Sequence, residues 1–217
     1  MRILVACEES QVVTIELRKL GHEAYSCDLE PCSGGAPEWH IQGDVIPLLD
    51  GRCTFGTMDG KVHAICRRWN MIIAHPPCTY LSNAGARFLY PGGILNEERL
   101  AKGLKAKEFF MAIYNADCPK IVIENPIPSR VYELPPYIQA IQPWQFGHPY
   151  KKKTCLWIKG DLPLLQPTEI IPEEHRESTK IAGNWFNAGG KDRQKNRAKT
   201  FPGIGKAMAE QWAGRCE

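Results

Sequence analysis

A cysteine follows two prolines at the end of a short apolar segment, in the run His75-Pro76-Pro77-Cys78. The preceding segment, Met71 to Ala74, is apolar throughout and predicts a buried strand, which the prolines end because they lack a backbone N–H. Ligands of open α/β folds bind at the carboxyl ends of the strands. A thiol on a stiff loop at that place could act as a nucleophile. The alternative is that Cys78 is a small buried hydrophobic residue.

An acid and an amide come at the end of a second apolar segment. Residues 120–124 predict a buried strand, and Pro126 stops it just after Glu124 and Asn125. Thiolate attack on carbon 6 of a pyrimidine is easier when an acid protonates or hydrogen-bonds ring nitrogen 3, and carbon 5 can then attack a methyl sulfonium. Glu124 could equally be a solvated loop residue.

The first part of the chain predicts a strand, a turn, a helix and a strand that ends in Asp28, and Asp44 ends the next strand. Acids at such positions accept hydrogen bonds from ribose hydroxyls and from an adenine amino group. The loop from Cys7 to Gln11 has no glycine and carries two acids that would repel a phosphate. This favours S-adenosylmethionine over NAD or ATP. The expected cofactor-binding residues are Cys7, Glu8, Ser10, Asp28, Leu29, Asp44, Val45 and Pro76.

The remaining elements complete an α/β domain. A hairpin-like insertion is expected over 51–68, a long helix from Asn96, and a closing helix over about 205–212. Trp144-Gln145-Phe146 and the segment 154–158 are expected to form an antiparallel pair joined by a basic turn. The predicted fold is therefore α/β and Rossmann-like, with a mostly parallel sheet and an antiparallel C-terminal hairpin.

The composition is that of an ordinary globular protein, with 217 residues, 43% hydrophobic, 24% charged and a net charge of +3. The nine cysteines form no CxxC pair, so reduced thiols are expected. Cys27, Cys32 and His40 are the best metal candidates, but their spacing matches no common site and no metal is expected. No apolar stretch is long enough to span a membrane, and no signal peptide is evident, so a cytoplasmic location is expected.

Taken together, these residues resemble the DNA cytosine carbon-5 methyltransferases, most closely a compact version found in phages and prophages. Pro76-Pro77-Cys78 is similar to that family's nucleophile loop, Glu124-Asn125 to its Glu-Asn element, and Asp28 and Asp44 to its cofactor acids. The segment 147–158 is similar to its Gly-x-Pro-Gln-x-Arg-x-Arg element and the strand after it, and residues 201–203 resemble its closing motifs more loosely. The resemblance implies one S-adenosylmethionine-dependent methyltransferase domain over 1–217. Cys78 would be its nucleophile, Glu124 and Asn125 would act with it, DNA would be its substrate, and the bacterial host cell its location.

The chain also departs from that family. The glycine-rich cofactor loop is replaced by residues 7–11, and the target-recognition region is reduced to about 160–200, which implies short or weak sequence specificity. The expected nucleic-acid-binding residues are basic: Arg87, Lys151, Lys152, Lys153, Arg193 and Arg197. A duplex substrate would have to extrude its target base.

Three alternatives remain. The substrate could be single-stranded, RNA or a free nucleotide. The enzyme could methylate an amino group, although that class has Asp, Asn or Ser before Pro-Pro and an aromatic residue after it, where this chain has His75 and Cys78. The chain could also be a catalytically inactive nucleic-acid-binding relative.

Overall fold

The computed structural model describes residues 1–178 and 198–215, and within them the chain forms a mixed α/β fold. Seven strands of the described part form one sheet in the order β3-β2-β1-β6-β7-β10-β8. Their bounds are β1 Arg2–Ala6, β2 Glu23–Asp28, β3 His40–Gln42, β6 Met71–Ala74, β7 Ile121–Pro126, β8 Gln139–Ile141 and β10 Thr154–Lys159.

The first five strands in this sheet are parallel, and β10 runs antiparallel to both β7 and β8. The prediction of a mostly parallel α/β sheet with antiparallel strands contributed by the later part of the chain is confirmed. From β1 the chain builds outward through β2 and β3, then returns to place β6 on the other side of β1. The order of the strands reverses there, and ligands of doubly wound sheets bind at such a point.

The predicted position of the antiparallel pair was wrong. Residues 143–145 form a 3₁₀ turn, and β8, which precedes them, is the strand that pairs with β10. Pro143 cannot donate a ladder hydrogen bond, and the Gln145 side chain instead accepts one from the backbone N–H of Gln142, at 2.7 Å. The predicted basic turn before β10 contains a short strand, β9 (Tyr150–Lys151), which pairs in parallel with β11 (Glu177–Ser178).

Both faces of the sheet are covered by apolar packing. Leu4 and Ala6 of β1 belong to one cluster, which includes Phe110 of helix α3 (Glu97–Tyr114). Ile3 and Val5 belong to the other, which includes residues of helices α1 (Val12–Lys19) and α4 (Pro202–Met208). Because both faces are buried, the strands are apolar throughout rather than alternating. Helix α4 continues as a π-helical turn over Ala209–Ala213.

The long helix starts where the sequence predicts. The side chain of Asn96 accepts a hydrogen bond from the backbone of Arg99 at 2.9 Å, and Glu97 and Glu98 lie in the first turn, where the helix dipole favours acids. A short helix, α2 (Asn83–Ala86), precedes it. The predicted insertion is a hairpin of β4 (Thr54–Gly56) and β5 (Val62–Ala64). Among the described residues, no helix combines the length and apolarity needed to cross a bilayer.

Two predicted strand-end acids are displaced along the chain. Strand β3 ends at Gln42, and Asp44 lies in the following turn, where its carboxylate accepts a hydrogen bond from the N–H of Ile46 at 3.0 Å. Glu124 lies inside β7, opposite Leu156 of β10, rather than at the end of the strand.

Candidate active site

A buried contact between an imidazole and a carboxylate links β6 and β7 near their carboxyl ends. Nδ1 of His75 lies 3.0 Å from Oε2 of Glu124, and the two side chains are only 7% and 13% exposed. His75 comes directly after β6, and Glu124 lies in the neighbouring parallel strand β7. The hydroxyl of Thr200 lies 3.4 Å from the same ring nitrogen. Nε2 of His75 is buried and has no hydrogen-bond partner within the described part of the chain.

The electrostatics of this pair favour a proton on the imidazole. Burial by itself lowers the pKa of His75, but the hydrogen bond and charge of Glu124, together with the charge of Glu8, raise it overall. Burial likewise raises the pKa of Glu124, and the contacts with His75, Lys152 and Thr154 lower it overall. Each partner therefore favours the charged form of the other.

Asn125 connects the same two strand ends. Its side-chain amide donates a 2.8 Å hydrogen bond to the carbonyl oxygen of Pro76, and both residues are buried. The backbone N–H of His75 donates to the carbonyl of Ala6 at 2.9 Å, which extends the pairing of β1 and β6 by one residue. The turn that leads to Cys78 is thus held from both neighbouring strands.

Cys78 is half-buried at the start of the segment that leads to α2. Its carbonyl oxygen accepts a 3.0 Å hydrogen bond from the N–H of Ser82. Arg99 of α3 donates to the carbonyls of Thr79 and Gly85, at 3.1 and 3.2 Å, and so anchors this segment from the other side. The candidate nucleophile is therefore carried on a turn with local hydrogen bonds at both ends.

A cavity with about 210 Å³ of empty volume opens beside Glu124, and we call it the Glu124 cavity. Its wall combines two lysines, the acid, two hydroxyls and two apolar side chains. The lining residues are Glu124, Lys152, Thr154, Lys199, Thr200, Phe201 and Ile204. Nζ of Lys152 lies 5.7 Å from the centre of the Phe201 ring. This set of donors and acceptors can hydrogen-bond a small polar group.

A second cavity, with about 380 Å³ of empty volume, opens at the carboxyl ends of β1, β2 and β3, and we call it the Asp28 cavity. Five of the eight predicted cofactor-binding residues line it, namely Cys7, Asp28, Leu29, Asp44 and Val45. The other lining residues are Cys27, Gly43, Pro77 and Phe109. Burial raises the pKa of Asp28 above the usual carboxyl value. Apolar walls with two carboxylates fit a nucleoside, whose hydroxyl and amino groups would meet the acids.

The remaining three predicted cofactor residues do not line the Asp28 cavity. Glu8 is 3% exposed, and its carboxylate accepts hydrogen bonds from the backbone of Val13 at 2.6 Å and from the hydroxyl of Thr14 at 2.7 Å. It therefore caps the N-terminus of α1, a role the sequence did not predict. Ser10 is half-buried in the same loop, and Pro76 is buried under the hydrogen bond from Asn125.

The predicted basic residues divide by position. Lys152 is half-buried and lines the Glu124 cavity, whereas Lys151 and Lys153 are exposed. Arg87 is exposed beyond α2, with its guanidinium 4.6 Å from the ring centre of Phe88. Arg193 and Arg197 lie outside the described residues, as does much of the expected recognition region. The candidate metal residue His40 uses both ring nitrogens, towards the Ser26 hydroxyl at 2.8 Å and the Glu30 carbonyl at 3.0 Å.

Sequence reasoning missed several residues of this site. His75 had a local signal, since it is the one polar residue between an apolar strand and Pro-Pro, but nothing local indicated its partner. Lys199 and Thr200 come from the far end of the chain, and Lys199 also contacts Ser33 at 3.1 Å. Phe109 reaches the Asp28 cavity from α3. Such contacts depend on tertiary packing rather than on local spacing.

No protein-family model matches this chain, and no curated protein matches it either. Among solved structures, the chain is similar to a candidate DNA modification methyltransferase encoded within a prophage of E. coli, at 11% identity and a TM-score of 0.44. The alignment covers 79% of this chain and 52% of that one, so this chain spans about half the length of that protein. A likeness of this degree says nothing about the chemistry of the present chain.

Proposed function

We propose that this protein transfers a methyl group from S-adenosylmethionine to carbon 5 of cytosine in DNA, through a covalent adduct with Cys78. The observation that carries the proposal is the coupling of the two strand ends. The turn before Cys78 is bound to β7 by the Asn125–Pro76 hydrogen bond and by the His75–Glu124 ion pair. The loop that carries Cys78 and the Glu124 carboxylate thus lie together at the carboxyl edge of the sheet.

The Asp28 cavity supports the choice of cofactor. Asp28 and Asp44 would accept hydrogen bonds from the ribose hydroxyls and the adenine amino group, while Leu29, Val45 and Phe109 would pack on the adenosine. S-adenosylmethionine, when bound, supplies the methyl group. Pro77 also lines this cavity, so the residue next to Cys78 already borders the cofactor position.

Four residues of the chain have separate roles in the proposed reaction. The Cys78 thiolate forms a bond to carbon 6 of cytosine, which makes carbon 5 nucleophilic. Glu124 is the partner of the cytosine edge at ring nitrogen 3, and Lys152, on the same cavity wall, would stabilise negative charge on the ring. Asn125 holds the loop in position. A base finally removes the proton from carbon 5 and the thiolate leaves.

DNA as the substrate is supported by the surface next to the nucleophile. Phe88 and Tyr90 are each 51% exposed, and Arg87 and Arg99 lie 4.6 and 5.2 Å from the Phe88 ring centre. Aromatic rings beside guanidinium groups suit stacking on bases and contact with phosphates. Base extrusion costs a few kcal/mol of stacking, which such a surface can offset. The small region at about 160–200 would limit sequence recognition to a short or weak preference.

The test is methylation of DNA by the purified protein, followed by mass analysis of the product nucleosides. We expect 5-methyldeoxycytidine from the wild type and none from Cys78→Ser, with an unchanged circular dichroism spectrum. Cys66→Ser is the matched control, because Cys66 is exposed and lies between β5 and β6, outside the loop that carries Cys78. DNA containing 5-fluorocytosine should trap the adduct, since a base cannot remove fluorine from carbon 5. A fully active Cys78→Ser protein, or a product methylated on nitrogen, would contradict the proposal.

A further inference from the structure

His75 is the least expected residue of the site. It is buried, one ring nitrogen contacts Glu124 at 3.0 Å, and the other has no hydrogen-bond partner among the described residues. A buried imidazole with an unused nitrogen is costly, because desolvation without a hydrogen bond is unfavourable. The desolvation cost is understandable if the proton shared by His75 and Glu124 is transferred during the reaction.

We propose that His75 positions Glu124 by binding one of its carboxylate oxygens, and that His75 supplies the proton that ring nitrogen 3 of cytosine takes up through that carboxylate. The inference rests on the proposed function and adds to it the source of the proton. Because the resting carboxylate is ionised, Glu124 alone has no proton to give. The imidazole of His75, whose Nδ1 lies 3.0 Å from the carboxylate, supplies one when it is protonated.

The step balances as follows. The Cys78 thiolate forms the bond to carbon 6, and the electron pair of the 5,6 double bond moves towards ring nitrogen 3. That nitrogen takes a proton from the Glu124 carboxyl group, which has received one from Nδ1 of His75. The adduct is then neutral, His75 is neutral and Glu124 is again a carboxylate, so the total charge does not change. The proton returns to His75 when ring nitrogen 3 gives it up later in the cycle.

The surroundings of His75 are suited to a transferable proton. The charges that face it come from three elements: Glu124 on β7, Glu8 after β1, and Lys152 before β10. Thr200, the neutral hydroxyl near Nδ1, comes from the segment before α4. Glu8 is bound to the start of α1 and raises the pKa of His75 by its charge, although burial raises the pKa of the Glu8 carboxyl itself. The charge of Lys152 acts in the opposite direction and lowers the pKa of His75.

The first measurement needs no activity. We would titrate the histidine ring signals of the ¹⁵N-labelled full chain by NMR, in the wild type and in Glu124→Gln. We expect the pKa of His75 to lie above the ordinary 6.5 in the wild type and to fall below it in Glu124→Gln, where burial is no longer offset by the carboxylate. A wild-type value at or below the ordinary one, or no change in Glu124→Gln, would overturn the inference whatever the activity.

The second measurement is the pH dependence of kcat for methyl transfer. His75→Asn keeps an amide donor near the position of Nδ1 but cannot be protonated. We expect kcat to fall by about 10²- to 10⁴-fold, as for loss of a general acid, with KM for DNA little changed. The decline of activity at high pH that reports deprotonation of His75 should also disappear. His63→Asn, in the hairpin strand β5, should retain both wild-type kcat and that decline.

The outcomes separate the two proposals. A wild type that transfers no methyl group would overturn the proposed function and the inference that rests on it. An active wild type, with a His75→Asn variant that keeps the same decline at high pH, would overturn the inference alone. If His75→Asn does not fold, the wild-type titration still decides whether the pair exists.

Discussion

The side-chain amide of Asn125 donates a 2.8 Å hydrogen bond to the carbonyl oxygen of Pro76, so a residue of β7 holds the turn that follows β6. Both residues are buried, and Asn125 is 2% exposed. His75 directly precedes Pro76, and Glu124 directly precedes Asn125; these two residues form the His75–Glu124 ion pair. Two adjacent side-chain contacts therefore set the position of the loop that carries the candidate nucleophile.

Asn125→Ala should affect both stability and rate. The Pro76 carbonyl would be buried without a donor, which costs about 1–3 kcal/mol of the free energy of unfolding. A shift of the loop by about 1 Å would lower kcat by roughly 100-fold. Urea denaturation and methyl-transfer kinetics measure the two effects, with Asn115→Ala at the exposed end of α3 as the control. A wild-type kcat in Asn125→Ala would argue against the positioning role.

Removal of a carboxylate from the Asp28 cavity should weaken cofactor binding. Hydrogen bonds to a charged group contribute about 1.5–3 kcal/mol, so Asp28→Ala should raise the Kd of S-adenosylmethionine by roughly 10- to 100-fold. Burial raises the pKa of Asp28, so affinity should begin to fall at a higher pH on acidification than for an ordinary carboxyl. Calorimetry measures both, and Asp50→Ala, at an exposed acid that does not line the cavity, should bind normally.

Neighbouring lysines should differ in what they contribute. Lys152 lines the Glu124 cavity, so Lys152→Ala should lower kcat, whereas exposed Lys151 should act through DNA affinity. For Lys151→Ala we expect the salt dependence of DNA binding, as log Kd against log salt, to decrease by about one unit of slope. Fluorescence anisotropy at several salt concentrations and single-turnover kinetics test the difference. If Lys151→Ala and Lys152→Ala had the same effects on kcat and on the salt dependence of DNA binding, the separate role proposed for Lys152 in the Glu124 cavity would be wrong.

The His75–Glu124 pair should make stability depend on pH with a defined sign. The pKa of Glu124 is lowered by folding, so its contribution is present above the unfolded value of 4.5 and is lost as pH falls through the folded value. The pKa of His75 is raised, so its contribution is complete below 6.5 and is lost as pH rises through the folded value. The pair therefore contributes most between about pH 4.5 and 6.5.

This prediction is checked by the difference in unfolding free energy between the wild type and Glu124→Gln. We expect the difference to be largest in that window and to shrink as the pH rises above the folded pKa of His75. Glu98→Gln removes an ion pair whose acid is 78% exposed, and should give a small difference throughout. A difference for Glu124→Gln that does not change with pH would exclude the ion pair.

Much of the fold could be predicted because its signals are local. The apolar runs at Ile3–Val5 and Met71–Ala74 indicate buried strands without reference to any partner. Asn96 caps α3 through its own neighbour three residues on. The Asp28 cavity follows from the same reasoning, since parallel strands end at one edge and bring their following residues together. The antiparallel partner of β10 was misplaced because apolar content does not identify which of two nearby segments will pair.

By itself, the sequence determined the parallel strands and the long helix, the acid that ends β2, the acid after β3, and the cysteine that follows β6. These depend on backbone preference and hydrophobic periodicity within a few residues. Only the tertiary structure decided that His75 meets Glu124, that Glu8 caps α1 instead of facing the cavity, and that Thr200 joins the site. Those contacts arise because burial favours hydrogen bonds between polar groups, and the partner depends on which elements pack together rather than on distance along the chain.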